Sequence, residues 1–309
     1  MTTERKKGIL MKKSVYVAFR KVGRYFSKKG LDRLPGAQRV YEIIDAHLRP
    51  GIILIERYGS KMYVNAKDTG MVPFLLAGSY EEYGTKLFLD SIKPGMVIVD
   101  VGANFGYYSL IAAGALRGLG DGGQVYAFEP EPGNYELLLK NIEINGYTNI
   151  TPSQSAVSAS TGRASLYLDS RNLAGHSLSS ECIIHGDDSV QIETSTLDDF
   201  FMHRVGKTKV DILKIDTQGA EGLVLEGAWG ILDGNRAKIF MEFWTRGLEN
   251  NGAVPVALLR TVVDHGYSIN IIDEESRSVV RADAEEVIER CEQSSSDIVF
   301  ENLLLEKPI

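Results

Sequence analysis

At 309 residues, 44% hydrophobic and 24% charged, the chain has the length and composition of one α/β domain with appendages. No apolar run approaches the ~18 residues of a membrane span, and Ile9-Leu10-Met11 is too short and too hemmed by lysines for a secretory core. Cys182 and Cys291 lie far apart without metal-ligand spacing, so the expectation is a reduced, cytoplasmic setting and no bound metal.

The net charge of −7 is unevenly spread. Residues 1–39 hold twelve Lys/Arg against Glu4 and Asp32, a local +10 that leaves −17 on the remainder. Val15, Ala18, Phe19, Val22, Tyr25 and Phe26 recur at three- and four-residue spacing between those bases, the pattern of a basic amphipathic helix. Such a helix suits peripheral contact with a membrane surface, or docking on the main domain or on a second copy of the chain as a homo-oligomer. The acidic body argues against nucleic acid. Ile52 to Tyr58 and Lys61 to Val64 read as a hairpin about Gly59-Ser60. Residues 1–69 are thus expected to form a basic helical and hairpin extension, and 70–309 the principal domain.

Ser79 is expected to N-cap a helix running to about Ile92, with Tyr80 and Glu81 in its first turn. There they serve as a packing aromatic and a dipole-favoured acid, or reach a ligand. Val97 to Val101 is a β-branched apolar run bounded by Lys93-Pro94-Gly95 before and glycines after, the signal of a buried strand. From Tyr107 to Leu116 the apolar residues take helical spacing, so the loop Asp100-Val101-Gly102-Ala103-Asn104-Phe105-Gly106 joins strand to helix. Gly102 and Gly106 permit φ > 0 and close approach of backbone to a ligand. The dinucleotide fingerprint needs G-x-G-x-x-G; this loop lacks the first close pair and starts on an acid, which disfavours an NAD-type oxidoreductase. Asp100 suits a ligand carrying a cation, such as the amino group of S-adenosylmethionine. The next strand, Gln124 to Phe128, leads into Glu129, placed to accept two ribose hydroxyls.

Asn134 to Asn145 is helical and stopped by Gly146. A third strand runs from Asn149 to Val157, with Ala156 positioned for an adenine edge. Ala164 to Leu168 and Val190 to Thr194 form a hairpin enclosing a polar loop that contains His176, a base candidate near neutrality. Asp211 to Asp216 is the fourth core strand, in which Lys214 reads as an edge or snorkelling residue. Thr217 to Leu232 continues as a helix opened by Glu221. The fifth strand ends at Glu242-Phe243-Trp244, so acids recur at the strand ends where open α/β sheets gather ligands. Pro255 to His265 is helical, Tyr267 to Ile272 a sixth strand, Ala282 to Cys291 a short helix and Asp297 to Leu305 a last strand.

The blocks D-V-G-A-N-F-G-Y-Y (100–108), Y-A-F-E-P-E-P-G-N-Y (126–135), K-N-I-E-I-N-G (140–146), T-S-T-L-D-D-F (194–200), D-I-L-K-I-D-T-Q-G-A-E (211–221) and M-E-F-W (241–244) occur in order over about residues 80–270. In these blocks the chain resembles the FkbM-type S-adenosylmethionine-dependent methyltransferases. The resemblance implies a Rossmann-like class I methyltransferase fold: a seven-stranded, mostly parallel sheet whose antiparallel last strand is inserted between strands five and six. It implies O-methylation of a hydroxyl on a small molecule or glycan. Asp100, Gly102, Asn104 and Gly106 would then shape the methionine end of the cofactor, and Glu129 its ribose, with Ala156, Asp216 and a covering Glu81 as further contacts. His176, Asp216, Glu221 and Glu242 are candidate bases or orienters. The competing readings are a non-catalytic nucleoside-binding scaffold, against which the acids retained at three strand ends argue mildly, and a membrane-surface adaptor, which leaves them unexplained.

Overall fold

The computed structural model describes residues 49–120, 122–206, 209–293 and 300–308, with scattered positions between 15 and 44. Most of the basic N-terminal segment lies outside the described residues; Val15, Tyr16, Ala18, Phe19, Val22 and Tyr25 are helical, and Tyr16 is buried.

Strands β1 (Ile52–Arg57) and β2 (Ser60–Asn65) form the antiparallel hairpin. Its turn is Tyr58-Gly59 rather than Gly59-Ser60, with both residues left-handed at φ 48° and 77°. Such a two-residue turn matches the twist of the strands it joins. Helices α1 (Met71–Ala77) and α2 (Glu82–Ser91) follow. Ser79 is not the cap of α2; Glu81 holds that position with φ 38° and no side-chain cap bond. The free N–H groups of Tyr83 and Gly84 instead donate to the distant Glu274 carboxylate at 2.9 and 2.7 Å, which satisfies donors that a helix start leaves open.

The first half of the main sheet is built from β3 (Val97–Val101), α3 (Tyr107–Leu119), β4 (Gln124–Phe128), α4 (Pro132–Asn145) and β5 (Ile150–Ser153). Asn141 and Asn145 of α4 hydrogen-bond the backbone of Tyr63 and Lys61, locking the hairpin onto the domain. The expected single strand over 149–157 is two strands. After Ser153 the chain turns, and β6 (Ala156–Val157) leaves the main sheet for a small one with β7 (Gly162–Tyr167) and β8 (Ser189–Ser195), in the order β6-β8-β7. A short α5 (Leu197–Asp199) continues as a wider helical turn to Val205.

Next come β9 (Ile212–Ile215), α6 (Glu221–Glu226) and α7 (Trp229–Asp233). The helix expected over 217–232 is thus shorter and broken at Gly227, where a Cβ would overlap the Ser158 carbonyl oxygen. The chain ends through β10 (Lys238–Trp244), α8 (Thr245–Asn250), α9 (Pro255–Asp264), β11 (Ser268–Asp273), β12 (Ser278–Ala282), α10 (Ala284–Gln293) and β13 (Phe300–Glu306).

Among the described residues the main sheet has eight strands in the order β12-β11-β13-β10-β9-β3-β4-β5. β10, β9, β3, β4 and β5 are parallel, and β13 is inserted antiparallel between β10 and β11. The strand beyond the expected seven is β12, a largely exposed edge strand paired antiparallel to β11.

Alternation splits the core across the sheet. Val97, Val99, Val101, Leu213, Ile215, Ile239, Met241 and Phe243 are buried on one face. Ile98, Ile212, Val125, Ala127, Phe240 and Leu304 are buried on the other, under α2 and α3. Because the chain runs outward from β3 to β5 and then returns to β9, a crevice opens at the carboxyl ends of β3 and β9. In such sheets this switch point is where ligands bind.

Candidate active site

A cavity lies at that switch point. Gly102 and Asn104 form its floor, Glu129 and Asn134 one side, and Asp216, Thr217 and Gln218 the other. Phe128, Ala156, Val157, Leu166 and Leu173 supply apolar walls, and the hairpin loop brings in His176 and Ser177. Of the residues singled out in the sequence, Gly102, Asn104, Glu129, Ala156, His176 and Asp216 line this space together.

The loop after β3 is tied to the end of β4: the N–H groups of Gly102 and Ala103 both donate to the Phe128 carbonyl, at 3.0 and 2.9 Å. Gly102 has φ 81°, and a Cβ there would overlap the Asp216 carbonyl oxygen. The close approach that needs this glycine is therefore to the end of β9. Gly106, at φ 98°, caps α3 against Leu138 and does not line the cavity.

Glu129 is buried, and each of its oxygens accepts one backbone N–H: Oε2 from Asn104 at 2.7 Å and Oε1 from Glu131 at 2.8 Å. A carboxylate offers about four acceptor sites, so one remains on each oxygen. Burial pushes its pKa up to about 8 even against these two bonds. A neighbouring pair of hydroxyl donors would bring it back down.

Behind the cavity, under α2 and α3, lies an ionic row. Asp100 and Lys214 are register partners on β3 and β9, and Lys214 pairs with Phe240, one pleat below Glu242 on β10. Period two therefore puts Asp100, Lys214, Asp216 and Glu242 on one face. The Lys214 ammonium lies 3.5 Å from Asp216 Oδ2 and 5.1 Å from the Tyr108 ring centroid, and among the described residues it makes no hydrogen bond. Lys214 is 2% exposed on a central strand, so the expectation of an edge or snorkelling residue is corrected. Burial works against its charge, but Asp216, Glu81, Glu242 and Asp100 outweigh burial and hold its pKa above the ordinary lysine value.

The acids around it are each engaged. Asp100 does not line the cavity; its Oδ2 accepts from Ser109 Oγ at 2.5 Å, and burial raises its pKa to about 6. Glu81, half-buried, accepts from Tyr108 Oη at 2.5 Å and Asn302 Nδ2 at 3.3 Å. Burial, then Asp216, push Glu242 well above the usual carboxylate range despite Lys214. Gln218, left-handed at φ 54°, donates from Nε2 to both Asp216 Oδ1 at 3.0 Å and Glu242 Oε2 at 2.7 Å, and its carbonyl accepts from Ser177 Oγ at 2.9 Å.

Two candidates are committed elsewhere. Glu221 Oε1 accepts from Thr217 N, Thr217 Oγ1 and Gly219 N at 3.0, 3.0 and 3.1 Å, so it braces the turn after β9 and does not line the cavity. His176 Nδ1 accepts the Asp169 N–H at 3.0 Å, which assigns its proton to Nε2. Burial also lowers its pKa. His176 thus faces the cavity as a neutral hydrogen-bond donor.

Lys214, Gln218, Tyr108 and Ser177 escaped the sequence reading. For Lys214 the signal was present, since Ile212, Lys214 and Asp216 alternate in phase with Ile98 and Asp100. The cavity fits a nucleoside: apolar walls for a base, and two open acceptor sites on Glu129 for a ribose. A surplus of carboxylates over one ammonium lies behind its far end, suited to a cationic ligand. S-adenosylmethionine meets all three conditions.

The strand order, with an antiparallel strand inserted beside the parallel ones and this cavity at the switch point, defines a Rossmann-like class I methyltransferase fold. The chain belongs to the methyltransferase FkbM domain family, which it matches over residues 100–269. A curated relative, Methyltransferase 1 of Beauveria bassiana (strain ARSEF 2860), is 23% identical over 156 residues, covering 44% of this chain and 61% of the relative. Among solved structures, the methyltransferase FkbM of Methylobacillus flagellatus KT aligns with TM-score 0.45 and 17% identity, over 76% of this chain and 52% of that one. A putative rRNA-methylase of Clostridium thermocellum aligns with TM-score 0.44 and 11% identity, over 72% and 95%. The match therefore spans less than two thirds of the length of the first two, 61% and 52%.

Proposed function

We propose that the protein transfers a methyl group from S-adenosylmethionine to a hydroxyl oxygen on a small molecule or glycan. The observation that carries this reading is the cavity itself, with Glu129 open to a ribose at one side and Asp216 at the other. Glu129 would accept the two ribose hydroxyls, and the loop from Gly102 would hold the methionine end. When bound, S-adenosylmethionine supplies a methyl group already activated on a sulfonium. What remains for this chain is to align the acceptor oxygen and to take its proton, contributions worth several kcal/mol and about 10²–10⁴-fold respectively.

Asp216 is the proton acceptor of choice. It lines the cavity, whereas Glu242 and Glu221 do not, and His176 Nδ1 is occupied by the Asp169 N–H. Lys214 and Gln218 would orient it. Asp216 would take the proton that the acceptor hydroxyl gives up when its oxygen is methylated.

Calorimetric titration with S-adenosylmethionine and, separately, with NAD tests the donor. Binding of the first, lost in Glu129→Ala, supports the reading. Binding of NAD alone, or of neither, overturns it.

A further inference from the structure

One wall of the cavity is a strap, the segment from Asp169 to Leu178 in the loop between β7 and β8. Leu173, Ala174, His176, Ser177 and Leu178 of this segment line the space. The strap crosses from one side to the other. On the Glu129 side, Asn134 Nδ2 donates to the Leu173 carbonyl at 3.0 Å. On the Asp216 side, Ser177 Oγ donates to the Gln218 carbonyl at 2.9 Å. Within the loop, Asp169 Oδ1 accepts the N–H groups of Arg171 and Asn172, both at 2.8 Å, and so shapes the turn.

A further anchor comes from the N-terminal side of the chain. Asp68, between β2 and α1, is 3% exposed, and its Oδ1 accepts the Leu173 N–H at 2.8 Å. The same carboxylate accepts the Gly70 N–H at 3.3 Å and the Val72 N–H at 2.8 Å, the latter an open donor in the first turn of α1. Beside it the Thr69 N–H donates to the Arg171 carbonyl at 2.9 Å. One buried group thus holds both the start of α1 and the strap.

Asn172 fills the rest of the seam. A Cβ on Gly70 would lie 2.0 Å from Asn172 Oδ1, and a Cβ on Gly175 would lie 2.5 Å from its Nδ2. The two glycines let the strap close against residues 68–70 with this side chain between them.

We infer that Asp68 is a positioning residue of the cofactor site: through the Leu173 N–H it sets the strap over the bound nucleoside without touching the nucleoside itself. The inference rests on the S-adenosylmethionine reading. Without the carboxylate, the Gly70, Val72 and Leu173 N–H groups lose their acceptor, and the strap turns to water instead of standing over the cavity. A nucleoside must then order the strap as it binds, which lowers its affinity.

Calorimetric titration of the full chain with S-adenosylhomocysteine tests this. Asp68→Ala, or Asp68→Asn should the first not fold, should weaken binding about tenfold. Asp198→Ala is the comparator. Asp198 likewise accepts two N–H groups, those of Gly230 and Ile231 at 3.0 and 2.7 Å, but it lies outside the cavity. Its loss should lower the melting temperature and leave the affinity within about twofold. Hydrogen exchange supplies the readout that lost stability alone would not move. In the parent, S-adenosylhomocysteine should slow exchange over residues 102–106 and 173–178 alike; in the Asp68 variants it should do so over 102–106 only. The inference is overturned if the Asp68 variants bind as the parent does, if Asp198→Ala loses affinity to the same extent, or if ligand protects the strap equally in variants and parent. A parent that binds no S-adenosylhomocysteine would instead overturn the donor reading, and this one with it.

Discussion

The Lys214 ammonium sits 3.5 Å from Asp216 Oδ2 on one face of a central strand, with Asp100 beside it in register and Glu242 one pleat further on. One buried cation thus serves several carboxylates. Removing one partner of a buried pair costs about 3–5 kcal/mol, so Lys214→Met should be among the more damaging single changes in the domain. The cost should depend on pH. At pH 8 the carboxyls would have to ionise without their counter-charge, whereas toward pH 5 Glu242 and Asp100, whose pKa values burial already raises, take up protons. Thermal melts of Lys214→Met and parent from pH 5 to 8 should diverge as pH rises. An equal gap throughout would show that Lys214 acts by packing alone.

Glu129 carries a pKa pushed up to about 8 by burial. The native state then holds a proton that the unfolded chain gives up near the ordinary glutamate value. This contribution to stability is complete below the unfolded pKa and is lost as pH rises through about 8. Ribose hydroxyls favour the ionised form, so nucleoside binding near pH 7 should release up to about one proton. Calorimetry in buffers of different ionisation enthalpy would read that release. Glu129→Gln should abolish it and weaken binding about 10–100-fold; proton release surviving in the variant would assign it to another group.

Gly102 and Gly146 are both left-handed, at φ 81° and 59°, yet only Gly102 faces an obstacle. Gly146→Ala should cost about 1 kcal/mol, the ordinary strain of that conformation. Gly102→Ala adds a clash with the Asp216 carbonyl, so it should cost more and should disturb the cavity. Melting temperature together with S-adenosylmethionine affinity separates the two: the first variant loses stability alone, the second loses both.

The proton acceptor can be identified from pH–rate profiles once an acceptor is in hand. Asp216→Asn should lower kcat by about 10²–10⁴-fold. His176→Gln should change KM more than kcat and leave the acid limb of the profile in place, because His176 Nδ1 is occupied by the Asp169 N–H. Displacement of that limb in His176→Gln would move the base role to the histidine.

Much of this architecture was legible along the chain because its signals are local. The β-branched run of β3, the switch to helical spacing after Gly106, the proline at the start of α9 and the acids that follow β4 and β9 depend on neighbours a few residues away. The same locality limited the reading. Whether Ser79 or Glu81 starts α2 was settled by Glu274, about 190 residues distant, which satisfies the helix's open N–H groups. The chain from 149 to 157 looked like one strand, but its last two residues found their hydrogen-bond partner in β8.

The chemistry of the acids divides the same way. Their presence at strand ends was written in the sequence, and so was the phase that puts Lys214 on the face of Asp100. What each can do was not. Glu221 braces a turn, His176 accepts a backbone N–H, Glu129 keeps acceptor sites open, and Asp216 alone combines a buried counter-ion with a place on the cavity wall. Those assignments depend on which donor stands within hydrogen-bonding distance and on how much water is excluded. Both are set by strand register and packing across the sheet, so only the tertiary structure could decide them.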